Sequence, residues 1–284
     1  MRHSKLALFA AFGLVLLHGP AFAQVQTSAQ QKCINTLNKD GAAVAKAQGA
    51  QNRACLKAAG AGTIGSPAVD CFANDPKLKI TKANQKTTKD NGKLCTETPP
   101  NFAYADDGAV NNGGLTGRLN LVLSLFGNPM NFDTVLVSCS TNAAACACQS
   151  KVYADANKLA DAKLGLFLKC KQAALKGGAT SATAIEDCVN NPATPGSLAA
   201  DTKGTIQKGV DKITADVTSK CDDEGVTTNA FPGTCTGLNG AALGTCIDTF
   251  VECRVCQTIV RMDSLTLDCD LFDDGAANMS CVAD

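Results

Sequence analysis

Sixteen cysteines at recurring intervals leave this chain few ways to fold. Cys33-Ile-Asn-Thr-Leu37-Asn-Lys-Asp40 matches Cys148-Gln-Ser-Lys-Val152-Tyr-Ala-Asp155 and Cys256-Gln-Thr-Ile-Val260-Arg-Met-Asp263, all three sharing Cys-x-x-x-Leu/Val-x-x-Asp. In the first two copies another cysteine follows 22 residues on, Cys55 and Cys170. Next come Asp70-Cys71 and Asp187-Cys188, then Cys95 and Cys221. Pairs spaced by seven, Cys139/Cys146 and Cys246/Cys253, precede the second and third copies. So many matched intervals define an internal repeat: two tandem units and the start of a third.

Within each unit the periodicity is helical. Cys148, Val152, Ala156, Leu159, Phe167, Cys170 and Ala174 recur mainly at three- and four-residue steps, as do Ile206, Val210, Ile213, Val217 and Cys221. The first unit carries the same pattern in weaker form, with Cys33, Leu37, Val44, Ala47 and Cys55, then Leu78, Ile80 and Ala83 in a Lys-rich stretch. In a helix, 22 residues return to within about 40° of the same face but about 33 Å further along. Cys33 and Cys55 therefore cannot bond each other, yet both can face one partner helix. An antiparallel hairpin then predicts Cys33–Cys95 with Cys55–Cys71, and Cys148–Cys221 with Cys170–Cys188. Cys246 and Cys253 lie two turns apart, out of bonding reach on a continuous helix. The pairing of Cys139, Cys146, Cys235, Cys246, Cys253, Cys256, Cys269 and Cys281 stays open. An Ala-rich, Lys-rich chain without Trp is expected to bury a thin core, which leaves the crosslinks to keep the paired helices in register.

Residues 96–138 read differently. Pro99-Pro100, Asp106-Asp107-Gly108 and Asn111-Asn112-Gly113-Gly114 are loop signals. Leu119, Leu121, Leu123 and Leu125 alternate before Gly127-Asn128-Pro129, which favours a short β-hairpin within an insert at 101–138, while Leu119, Val122, Leu123 and Phe126 also fit a short helix. The expected fold is mainly α, made of tandem disulfide-linked antiparallel helical hairpins with this loop-rich insert. Its divisions are 1–23, a signal peptide; 24–147, the first unit; 148–255, the second; and 256–284, a partial third repeat with an acidic tail.

Arg2 and Lys5 precede an apolar stretch from Leu6 to Leu17, and Ala21-Phe-Ala23 provides small residues for cleavage after Ala23. Export of a chain with an even number of cysteines implies a secreted or periplasmic protein with a disulfide framework. No later stretch is apolar enough for a transmembrane span. Both histidines, His3 and His18, lie in the expected signal. The processed chain would then lack Ser-His-Asp and Cys-His pairs, His-bearing zinc sites and Cys-x-x-Cys-His haem attachment. Removing residues 1–23 takes away two basic groups and no acid, leaving 24 against 26, a charge of −2. Residues 24–200 carry +6 and residues 201–284 carry −8. The basic part holds only two arginines, Arg53 and Arg118, and few aromatics, so it reads as a solvated helical face and not as a nucleic-acid surface.

The tandem pattern, with the ending Asp268-Cys-Asp270-Leu-Phe-Asp273-Asp274-Gly275, resembles a group of secreted bacterial Ala/Lys/Cys-rich helical-repeat proteins. That resemblance implies architecture and export, and it carries over no catalytic residue. Cys253-Arg-Val-Cys256-Gln-Thr-Ile-Val260 also looks like the opening of a saposin-type lipid-binding module, but only two cysteines follow it.

The remaining candidate chemistry is limited. Cys253-x-x-Cys256 has the spacing of a redox pair, though no βαβ pattern surrounds it. Asp268, Asp270, Asp273 and Asp274, and separately Asp222-Asp223-Glu224, are candidate oxygen ligands for Ca²⁺. The tail departs from an EF-hand, because Phe272 stands at the fifth ligand position and no Glu closes the loop. Carboxylate-based glycoside hydrolysis would need an aromatic cleft, and only Tyr104 and Tyr153 are on offer beside the phenylalanines. The expected role is non-catalytic: structural, or binding an unknown protein or cell-surface partner. The alternatives are a carrier of lipid or apolar small molecules using Leu119–Phe126, and thiol–disulfide exchange at Cys253/Cys256.

Overall fold

Two long amphipathic stretches dominate the chain and organise everything around them. A computed structural model describes residues 24–127, 129–221, 224–272 and 281. The expected signal and its cleavage point fall outside these residues, as do Asp222, Asp223, Asp273 and Asp274. In chain order the helices are α1 (Ser28–Gly60), α2 (Val69–Ala73), α3 (Lys79–Leu94), α4 (Asp107–Phe126), α5 (Phe132–Val135), α6 (Ala143–Lys176), α7 (Thr183–Asn190), α8 (Thr205–Lys220), α9 (Glu224–Ala230) and α10 (Gly240–Asp263). A 3₁₀ turn at Pro129–Asn131 precedes α5, and no strand occurs among the described residues.

The helix starts follow local chemistry. Thr27 and Gln30 form a reciprocal capping box at α1, with Oγ1 accepting the Gln30 N–H at 3.3 Å and Oε1 accepting the Thr27 N–H at 2.8 Å. Asn142 and Asp106 cap α6 and α4 through the Ala145 and Ala109 N–H groups. The apolar stripes read from the sequence are the buried faces: Cys33, Leu37, Val44 and Cys55 on α1, and Val152, Ala156, Leu159 and Phe167 on α6.

Each long helix, its short follower and its return helix form a disulfide-clamped hairpin. Cys33–Cys95 joins the start of α1 to the end of α3, and Cys55–Cys71 joins the end of α1 to α2. Cys148–Cys221 and Cys170–Cys188 do the same for α6, α8 and α7. Return helices in both hairpins start identically. Asp75 accepts the Lys79 and Thr81 N–H groups, and Asp201 accepts those of Thr205, Ile206 and Gln207.

Between cap and helix sits a left-handed residue, Leu78 at φ 51° and Gly204 at φ 57°. Leucine is strained there and Leu78 is 54% exposed, so it has little packing to lose. Leu78→Gly is expected to stabilise the protein by about 1 kcal/mol in urea unfolding, and Gly204→Leu to destabilise it by as much. An unchanged midpoint in both variants would show that the left-handed geometry is not retained in solution.

The hairpins are not stacked like steps of a solenoid. Lys171 near the end of α6 reaches Asn38 near the start of α1, while Asn52 near the end of α1 reaches Tyr153 near the start of α6. The long helices therefore run antiparallel. α4 and α10 also cross antiparallel, as contacts from Arg261 to Thr116 and from Arg254 to Ser124 show. The core is continuous across both halves and is not thin, with Phe72, Phe126, Phe132, Tyr153, Phe167 and Phe231 buried together. Each such side chain contributes on the order of 1.5–3 kcal/mol by leaving water.

The insert departs most from expectation. Residues 107–126 form no β-hairpin and no loop; they are one 20-residue helix wedged between α1 and α10. The glycines read as turn signals are points of close approach. A Cβ on Gly114 would lie 2.6 Å from the Gly41 carbonyl oxygen, and one on Gly113 would lie 3.0 Å from Met262 and 3.3 Å from the Thr258 carbonyl oxygen. The apparent third repeat also differs: Cys256–Asp263 is the last part of α10, not the first part of a new hairpin.

Candidate functional site

The Leu119–Phe126 segment retains a distinct place. Leu119, Val122 and Leu123 fall at i, i+3 and i+4 on α4 and so share one face. Across from them lie Val69 and Phe72 of α2 and Phe132 of α5, enclosing an apolar cleft of about 180 Å³. The Phe72 and Phe132 rings meet at 4.9 Å. Polar ties hold this wall in place. Gln48 donates to the Phe72 carbonyl at 3.0 Å, Gln51 to the Cys71 carbonyl at 2.8 Å, and the Ala68 N–H donates to Asp133 at 2.9 Å. With the Cys55–Cys71 bond, they anchor α2 from two sides.

Two further recesses repeat at the hairpin tips, about 510 Å³ beside Gln51, Asp70 and Asp75, and about 410 Å³ beside Leu166, Lys169 and Asp201. Their matched aspartates, Asp75 and Asp201, are engaged as helix caps.

The aspartate of the repeated cysteine motif proves to be a buried anchor in all three copies. Asp40 receives Lys86 at 2.5 Å, Asp155 receives Lys151 at 2.8 Å with Lys212 at 3.8 Å, and Asp263 receives Lys171 at 2.5 Å. On the return helices the partners form a repeated Lys-x-x-x-Asp-x-x-x-x-Cys: Lys86, Asp90 and Cys95, then Lys212, Asp216 and Cys221. That motif is visible in the sequence once the repeats are aligned from Cys95 and Cys221. Lysines thought to form a solvated face include Lys163 and Lys171, both wholly buried; Lys163 pairs with Asp248 and Glu252, each at 3.0 Å. Arg118, assigned to the same solvated face, is likewise buried and bonds Asp161. Burial pushes the Tyr153 hydroxyl up to about 12.

Hydrogen bonding with Asp155, opposed by burial and reinforced by Lys151 and Lys212, holds Asp216 well below the ordinary carboxylate range. A carboxyl depressed on folding contributes stability above its unfolded value, about pH 4, and loses it as pH falls through the folded value. Asp216→Asn is therefore expected to lower stability at neutral pH and to flatten the decline below about pH 4. Urea midpoints measured against pH for both proteins check this; parallel curves would remove Asp216 as the source.

The other expected site residues are dispersed. Cys253 and Cys256 do not pair with each other: Cys253 bonds Cys281 and Cys256 bonds Cys269. Cys139–Cys146 and Cys235–Cys246 complete the set, so all sixteen cysteines are in disulfides. Cys139 reaches Cys146 because it precedes α6, whereas Cys246 and Cys253 share the continuous α10. Asp268 accepts the Asp270 N–H at 3.0 Å, closing its own turn. Among the described residues no three His, Cys, Asp or Glu side chains gather as a metal site. No described helix is long and apolar enough to cross a membrane. Comparison with protein-family models, with curated proteins and with solved structures finds no match to this chain.

Proposed function

We propose that the protein is an exported, disulfide-clamped helical scaffold with a structural or binding role at the cell exterior. The observation that carries this reading is the complete engagement of its sixteen cysteines in eight disulfides, which fit a periplasmic or extracellular setting. Reactive side chains are turned to cohesion: thiols are bonded, and the buried lysines meet carboxylates. Expression of the full chain with fractionation tests it. Protein recovered outside the cytoplasm, starting at Gln24 and with no thiol titratable before reduction, is the expected result. Titratable thiols in the folded protein would favour disulfide exchange at Cys253/Cys256 instead.

The apolar cleft favours a second reading, a carrier of small apolar molecules. A cavity near 150 Å³ lined by aliphatic and aromatic groups accepts one benzene-sized ligand, and this cleft is about 180 Å³. Delipidated protein is expected to take up one equivalent of an environment-sensitive apolar dye, and Leu123→Lys to abolish that uptake. Non-saturable fluorescence, unchanged by Leu123→Lys, would remove the carrier reading and leave the scaffold.

A further inference from the structure

Where the two halves meet, three side chains from three helices touch one another away from water. They are Asn38 of α1, Lys171 of α6 and Asp263, the last residue of α10, with exposures of 4%, 0% and 1%. Lys171 Nζ donates to Asp263 Oδ1 at 2.5 Å and to Asn38 Oδ1 at 2.7 Å. Asn38 Nδ2 donates to that same Asp263 Oδ1 at 2.6 Å. A single carboxyl oxygen thus touches both the amine and the nitrogen of a neighbouring carboxamide, while the amine sits against the carboxamide's carbonyl.

Two details set the cluster apart from an ordinary buried ion pair. Asp263 Oδ2 is buried with no hydrogen-bond partner, a poor setting for a full negative charge. The remaining contact of Lys171 is the carbonyl of Ala103 at 2.8 Å, from a residue held in the left-handed region at φ 50°. Such a conformation is unfavourable for a residue other than glycine, so the surrounding structure holds that carbonyl in place. Desolvation lowers the Lys171 amine and raises the Asp263 carboxyl, both toward their neutral forms. A neutral amine carries a lone pair and is a nucleophile.

We propose that Lys171 and Asn38 join in an intramolecular isopeptide bond, formed by the chain itself with Asp263 as the proton-transfer group. The Lys171 Nζ lone pair attacks Asn38 Cγ, the new N–C bond forms, and the carbonyl π pair moves onto Oδ1. Asp263 as a neutral acid delivers its proton to Nδ2, and its carboxylate then takes the proton of the attacking Nζ. The C–Nδ2 bond breaks as the carbonyl re-forms, and ammonia leaves. One C–N bond is made and one broken, no electron acceptor is needed, and Asp263 ends as it began. Fixing the amine and carboxamide in contact supplies the proximity that such an amide exchange lacks in solution.

Disulfide topology gives the bond a purpose. None of the eight disulfides links a residue before Cys139 to a residue at or after it. The Lys171–Asn38 bond would close a span of 133 residues and tie the two hairpins together covalently.

Peptide mapping of the folded, purified protein after reduction, alkylation and trypsin tests the proposal. The expected product is a branched peptide joining residues 33–39 to residues 170–176, lighter than the two together by one ammonia. Intact mass alone would not decide it, since an N-terminal Gln24 also loses ammonia on cyclising. Lys171→Met should abolish the branched peptide, and Asp263→Asn should leave both peptides linear in a chain whose circular dichroism is still native. Recovery from the wild-type protein of linear 33–39, with cleavage after Lys171, would overturn the bond. A branched peptide persisting in Asp263→Asn would overturn the role given to Asp263.

Discussion

Replacing Cys148 and Cys221 together by alanine is expected to lower the unfolding free energy by about 4 kcal/mol, because their bond closes a 73-residue span of the unfolded chain. The paired change at Cys170 and Cys188, closing only 18 residues, should cost about 3 kcal/mol by the same loop-closure reasoning. Against a typical total of about 5–15 kcal/mol, either loss is a large share. Both cysteines of the longer bond are fully buried, so small cavities add to the effect and do not offset it. Denaturant titration under non-reducing conditions measures both variants, and mild reductant should move the wild-type midpoint in the same direction. Midpoints that ignored both the substitutions and the reductant would mean that the apolar core alone sustains the fold.

Gly114→Ala is expected to destabilise by about 2 kcal/mol, although alanine is the better helix former by about 1 kcal/mol. The added methyl would lie 2.6 Å from the Gly41 carbonyl oxygen and 3.1 Å from the Ala45 nitrogen, both backbone atoms of α1. Backbone inside a packed helix cannot rotate aside as a side-chain tip can, so α4 and α1 must separate. Overpacking of this sort typically costs about 1–3 kcal/mol and at a backbone contact falls at the upper end. Gly165 is the control. It too is inside a long helix, but a Cβ there meets nothing within 4 Å, so Gly165→Ala should gain about 0.5–1 kcal/mol. Urea midpoints of the two variants should move in opposite directions. If Gly114→Ala also rose, α4 would not approach α1 as closely as the structure has it.

These glycines show why the sequence favours a loop and hairpin where the structure has a long helix. A Gly-Gly pair breaks a helix in isolation, because it gives up backbone entropy and offers no side chain to bury. Against two neighbouring helices the missing side chain is the advantage, and that can be seen only with the neighbours present. Leu119, Leu121, Leu123 and Leu125 misled for a related reason. Four leucines at alternate positions satisfy a strand's period, and α4 accommodates them by being buried on more than one side. The apolar cleft is partly legible, since the Leu119–Phe126 segment stands out as an apolar run, but its opposite wall comes from Val69, Phe72 and Phe132. The Lys171–Asn38–Asp263 cluster had no sequence signal beyond the motif aspartate, because its members are 133 and 92 residues apart.

Residue spacing alone dictates the local and periodic features: helical hairpins, the face each cysteine occupies, and the rungs set by a 22-residue interval. All of these follow from the fixed 3.6-residue turn, which converts spacing along one chain into direction in space. Long-range packing sets how the hairpins face each other, places α4 in the gap between them, and makes lysines on an apparently solvated face buried partners of carboxylates. Those outcomes depend on contacts between residues far apart in the chain, where one glycine or one lysine means different things according to what lies opposite it.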